Sequence, residues 1–213
     1  MANTSLWVGV AVAFQSALAA SKTITGITKA SPAVCTSVAH GYSTGDFVKI
    51  TAVGMNQVNG RVFRVTSASA DTFSLDSVDS TSYDTFVSGG AEKITFGNTV
   101  STFVDVNASG GEIAQIPTTT IHDTIETSVA GNASPAVFTF NSILDLADAA
   151  LVALNTAYLA KGDRCFRLTF ANGQKILFNG SVGASLLPGG QTGGVVTTPV
   201  SITAKGALTA LAT

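Results

Sequence analysis

Residues 145–163 read DLADAALVALNTAYLAKGD, residues 164–182 read RCFRLTFANGQKILFNGSV, and residues 195–208 read VVTTPVSITAKGAL. The first segment predicts the one convincing helix of the chain, from Leu144 to Ala160. Leu144, Ala147, Leu151, Leu154 and Tyr158 recur at helical spacing and form its buried stripe. Asn141 or Ser142 caps its start, Asp145 and Asp148 sit where the helix dipole favours acids, and Lys161-Gly162 stops it. The second segment is a hairpin. Asn172-Gly173 closes it between Phe166–Ala171 and Lys175–Gly180, and Phe166, Leu168 and Phe170 alternate with Arg167 and Thr169 to give one buried face. The third follows a flexible loop, Pro188 to Gly194, and is the last strand, Val195 to Ala204, with a tail of small residues behind it. One helix on a hairpin and a return strand makes the fold mainly β.

Upstream of this block the β pattern continues. ITFGNTVSTFVDV, GEIAQIP, TIHDTIETSV and AVFTFNSI read as strands within residues 94–140, with Ala130 to Pro135 as a loop. Residues 23–93 read as a separate small β module, with turns at regular spacing and an Asn59-Gly60 hairpin. The stretch DSTSYDTFVSGG closes it. At the front, TSLWVGVAVAF alternates large and small apolar residues, as a strand buried on both faces does. Residues 1–21 also carry an apolar stretch and an Ala-Leu-Ala-Ala end, but no Lys or Arg precedes Lys22. A signal peptide lacks its positive start there, and a buried strand is the expectation.

Composition points to a chain that hides its surface. Of 213 residues, 46% are hydrophobic and 11% charged, against roughly 25% charged in an average soluble domain. The mean hydropathy is +0.40. The longest apolar run, Leu6 to Phe14, is too short for a bilayer, which takes about 20 residues. Burial against copies of itself is the simplest remaining explanation. A net charge of −2 argues against a protein that grips nucleic acid. The charges are also segregated. No Lys or Arg lies between Lys93 and Lys161, and no acid follows Asp163. A head-to-tail interface between an acidic and a basic side explains that pattern better than solvated charges do.

The sequence offers little chemistry. Cys35 and Cys165 read as small hydrophobes in strands, which favours a reducing compartment. His40 reads as a surface turn residue. His122 neighbours Asp123, but successive strand residues point to opposite faces. Asp71, Asp76 and Asp79 lack the ordered ligand pattern and central glycine of a calcium loop. No phosphate loop, dinucleotide fingerprint or nucleophile elbow is present. The reading is a protein that is not an enzyme and takes no cofactor and no metal.

The helix, RCFRLTFANGQKILFNGSV and VTTPVSITAKGAL together resemble the core of lambda-type siphophage major tail tube proteins. TSLWV resembles the start of those proteins. GGEIAQIPTTTIHDTIETSV resembles the strand that precedes their long ring-stacking hairpin loop. AHGYSTGDFVKITAVGMNQVNGRVFRVTSASADTFSL resembles a small β domain common in phage tail and baseplate proteins. The resemblance implies a tail-tube β-sandwich or barrel with one packed helix, made from residues 1–22 and 94–213. The inserted small β domain, 23–93, is then expected on the outer tube surface. It implies stacked, hexameric rings in a non-contractile tube that DNA traverses, assembled in the virion after synthesis in the host bacterial cytoplasm. The implied partners are the chain itself, a tape measure protein, a tail terminator and distal tail or baseplate proteins. DNA is touched only transiently in the lumen, and no membrane is involved.

Within that frame, Asp105, Glu112, Asp123 and Glu126 are lumen-facing candidates, because carboxylates do not hold phosphate. Ordinary solvated residues or inter-subunit salt bridges stand as equal readings of each. Thr127, Ser128, Gly131, Asn132 and Ser134 are candidates for the ring-stacking loop, and Thr120 to Pro135 is expected to order only on assembly. Arg164, Arg167 and Lys175 are candidates for a basic interface. The alternative is a carbohydrate- or surface-binding β module of a tail fibre or baseplate, which would expose Tyr42, Tyr83 or Phe86 in a shallow site.

Overall fold

The computed structural model describes residues 7–212. In chain order its strands are β1 (Ala11–Phe14), β2 (Ala17–Leu18), β3 (Lys22–Ile24), β4 (Gly26–Ile27), β5 (Val34–Thr36), β6 (Phe47–Val53), β7 (Val62–Thr66), β8 (Thr72–Leu75) and β9 (Ser88–Thr95). Then come β10 (Asn98–Val100), β11 (Phe103–Ser109), β12 (Ile113–Pro117), β13 (Ser128–Ala133), β14 (Val137–Ile143), β15 (Asp163–Thr169), β16 (Lys175–Gly183), β17 (Thr197–Ala204) and β18 (Thr209–Leu211). The one helix among the described residues, α1 (Ala149–Leu159), precedes β15. The fold is mainly β, with antiparallel sheets.

The first sheet has eight strands in the order β10-β1-β15-β16-β17-β14-β11, with β18 added beside β16. Its two edge strands are neighbours in sequence, joined by Ser101 and Thr102 alone. So short a link spans at most about 11 Å, which forces the sheet to curl. No ladder joins the edges among the described residues, so the sheet is not a closed barrel. Helix α1 lies against the inner face, where Leu151 and Leu154 meet Phe14, Phe140, Phe166 and Phe178. Stacked rings fill that space: Phe138 on Phe178 at 5.0 Å and Phe166 on Phe178 at 5.3 Å. Each fully buried Leu or Phe contributes about 1.5–3 kcal/mol. The described part of the N-terminal apolar stretch enters this sheet as β1, with Val12, Ala13 and Phe14 buried in succession. The stretch before Trp7 lies outside the described residues.

The helix differs from expectation at both ends. Asn141 and Ser142 belong to β14, and Ser142 donates to Thr102 Oγ1 at 2.7 Å. Asp148 is the cap, its Oδ1 accepting from the amides of Ala150 and Leu151 at 2.7 and 3.2 Å. Ala150, Leu151, Leu154 and Ala157 make the buried stripe, while Ala147 and Tyr158 face solvent. At the C-terminus Gly162 N donates to Ala157 O and Lys161 N to Tyr158 O, a Schellman turn. Lys161, at φ 50°, takes the left-handed position there, not the glycine. The C-terminal tail is also structured: β18 pairs with Lys175–Leu177 of β16, and Leu211 is buried.

The second sheet also has eight strands, β2-β9-β6-β7-β8-β5-β4, with β3 added beside β9. β3 pairs with β9 and β4 with β5. One bent segment, residues 22–27, therefore covers both ends of this sheet. Inside lie Ile24, Val48, Ile50, Met55, Phe63, Phe73 and Leu75. The sheet packs on the outer face of the β15–β16 hairpin, where Val62 and Ile94 meet Cys165, Leu177 and Leu211. The hairpin is thus buried on both faces, where the sequence predicts one.

Candidate assembly surfaces

β12 and β13 form a two-stranded sheet of their own, standing off the body. Every residue from 107 to 130 is exposed. Alternation in IAQIP forms the first strand and pairs Ile116 with Val129 and Pro117 with Ser128. Residues 118–127 make the tip, although Thr120 onward is expected as strand. There Thr118 N donates to Thr127 O at 2.8 Å, and Thr120 N and its hydroxyl donate to Asp123 Oδ2 at 2.7 and 2.9 Å. Those bonds, the backbone one foremost, hold the Asp123 carboxyl below the usual range. Residues 130–133, expected as a loop, belong to β13. The arm springs from Gly110 and Gly111, both at positive φ, and a Cβ on Gly110 would collide with the Pro135 carbonyl. The arm presents Ile113, Ile116, Ile121, Ile125 and Val129 to solvent. A two-stranded ribbon with no buried face is marginal in water.

This arm gathers most of the residues singled out in the sequence. Thr127, Ser128, Gly131 and Asn132 lie on or beside β13, and Ser134 at its root, where its amide donates to Glu112 O at 2.8 Å. Glu112 is at the root, and Asp123 and Glu126 are at the tip. Asp105 is separate. It sits on β11 in the first sheet, and its carboxylate accepts from Asn141 N and Nδ2 at 3.1 and 2.9 Å. The four acids therefore do not share one face of the body.

The basic candidates are largely engaged within the chain. Arg167 stacks over Phe96 at 4.8 Å and Phe47 at 5.3 Å, between the two sheets. Burial there lowers its pKa. Arg164 Nη1 donates to Asp163 O and Lys175 Nζ to Gly173 O. In the second sheet Lys49 pairs with Glu92, Arg64 with Asp76, and Lys93 with Asp46 at 2.7 Å.

Other expectations are corrected. His40 is buried, its Nδ1 accepting from Tyr42 N at 2.9 Å and its ring packed on Phe73. Tyr42 is buried too, its hydroxyl donating to Ala91 O at 2.7 Å, while Tyr83 and Phe86 pack against the second core. The aromatics of a shallow glycan site are thus spent on the interior. Asp71 accepts from Ala39 N, Asp76 pairs with Arg64, and Asp79 accepts from Thr81. The three do not converge. His122 lies in the exposed tip. No helix among the described residues is long and apolar enough to cross a membrane.

Two edges of the first sheet complete the surface. Among the described residues β10 pairs only with β1, and β11 only with β14. Each leaves a row of backbone groups for another strand. Between β1 and β11 opens an apolar seam lined by Trp7, Val12, Phe103, Val106 and Phe140.

The family model for the phage tail tube protein, TTP, matches residues 53–213. No curated protein matches the chain. The chain belongs to the phage tail tube protein family. Its role is structural, in the tube of the virion tail, and the family is non-enzymatic and self-assembling.

Proposed function

We propose that copies of this tail tube protein join edge to edge into rings, and that the rings stack through the arm into the non-contractile tube of a siphophage. Strand addition between β11 of one copy and β10 of the next would continue the first sheet around a ring and remove both exposed edges. Six subunits per ring follows from the resemblance to lambda-type proteins. The observation that carries this reading is the arm. A chain that leaves Ile121 97% exposed on a marginal ribbon keeps that surface for a partner.

The tube is then a conduit for DNA. Acidic side chains along its inner wall let a duplex pass, because each Lys or Arg contact would add affinity and friction. Of the acid candidates, Asp105 lies on the sheet that would form the wall and supports this reading, whereas Glu112, Asp123 and Glu126 lie on the arm. Residues 23–93 form a decoration facing outward, since they cover the side of β15–β16 away from the inner core. A tape measure protein, a terminator and distal tail proteins would meet the tube's bore and ends, after synthesis in the host cytoplasm.

Negative-stain electron microscopy of the purified chain over a range of concentrations tests this. Hollow tubes or stacked rings with a bore wide enough for a duplex, roughly 20 Å, are expected. Solid filaments with no bore would reject the conduit.

A further inference from the structure

An arm that leaves its own body needs a receiving surface on another copy. Glu112 and Ile121 are nine residue steps apart, about 30 Å if extended, and the tip packs on nothing in its own chain. It carries two exposed isoleucines, Ile121 and Ile125, and the acids Asp123 and Glu126, and the arm contains no Lys or Arg. Its complement is an apolar hollow edged by a cation that has no partner.

Three hollows on the body can be compared. The seam between β1 and β11 is apolar but contains Asp105, which repels an acidic tip. The hollow at the arm's root includes Lys205, already held 2.9 Å from Asp163. The third, about 340 Å³, lies at the C-terminal end of α1, lined by Tyr158, Leu159, Lys161, Ser181 and Val182. Leu159 is 70% exposed and Tyr158 40%. The Lys161 ammonium has no hydrogen-bond or ion-pair partner among the described residues. The Schellman turn fixes the Lys161 backbone and ties up the last helix carbonyls.

We propose that the arm tip of one copy seats in this hollow on a second copy, with Ile121 and Ile125 over Tyr158 and Leu159 and Glu126 paired with Lys161. Asp123 is already committed to Thr120, which leaves Glu126 as the pairing acid. This rests on the reading that the chain assembles with itself, and it names the surface used.

The test is a cross-link in assembled protein. Cys35 and Cys165 are both buried, so the double variant Ile121→Cys with Leu159→Cys carries the reactive thiols. Oxidised tubes, unfolded and run without reductant, should give a ladder of multimers, while either single variant stays monomeric. Charge reversal supplies a second readout. Glu126→Lys and Lys161→Glu should each raise the critical concentration roughly fivefold, and together restore it to within about twofold. Tubes that form with neither a ladder nor a charge effect overturn the dock alone. A wild-type chain that never assembles overturns the dock together with the reading beneath it.

Discussion

The arm and the second sheet hold strands that look alike in sequence and differ in fate. IAQIP at 113–117 and VFRVT at 62–66 are both short, apolar and partly alternating. Val62, Phe63 and Val65 are fully buried, while Ile113 and Ile116 face solvent. The difference is layering. The second sheet wraps sixteen buried residues, and one bent segment covers both of its ends. The arm has two strands, one layer and nothing behind it. The second sheet is finished by its own chain, and on our proposal the arm is finished by another copy.

The comparison breaks if core residues and arm residues respond alike to substitution. Phe166→Ala, in the inner core, should cost about 3–5 kcal/mol in denaturant unfolding. Leu177→Ala, between the two sheets, should cost about 2–5 kcal/mol, and it sharpens the case that the second sheet braces the hairpin. Asp148→Ala removes the helix cap and should cost about 1 kcal/mol. Ile116→Ser on the arm should change subunit stability by no more than about 0.5 kcal/mol, yet suppress tube formation seen by sedimentation. A thiol reagent gives an independent check. Burial pushes both cysteine thiols up to about 12, so neither should label in the folded subunit near about pH 8, and both should label in urea.

Much of the fold was legible because its signals are local. The α1 stripe at Leu151 and Leu154, the Asn172-Gly173 turn and the alternation of Phe166 and Leu168 need only neighbours in sequence. What stayed hidden was non-local. Asp148 outcompeted Asn141 as the cap because β14 pairs with β17 along its whole length. His40 and Tyr42 read as turn residues, since nothing nearby in sequence shows that Phe73 and Ala91 close over them. Arg167 reads as a surface cation until Phe47 and Phe96 arrive from another sheet. The short strand β18 carries too few residues to signal itself, and it exists because β16 offers an open edge. For the arm, the residues were legible and the geometry was not: Glu112, Asp123 and Glu126 lie on a projection that no local pattern announces.

The most direct test is hydrogen exchange on the free subunit and on assembled protein, followed amide by amide. Residues 112–133 should exchange close to the unprotected rate in the subunit and slow markedly in the tube, while β6 and β7 of the second sheet stay equally protected in both. Equal protection of the arm in the two states would contradict the claim that another copy completes it.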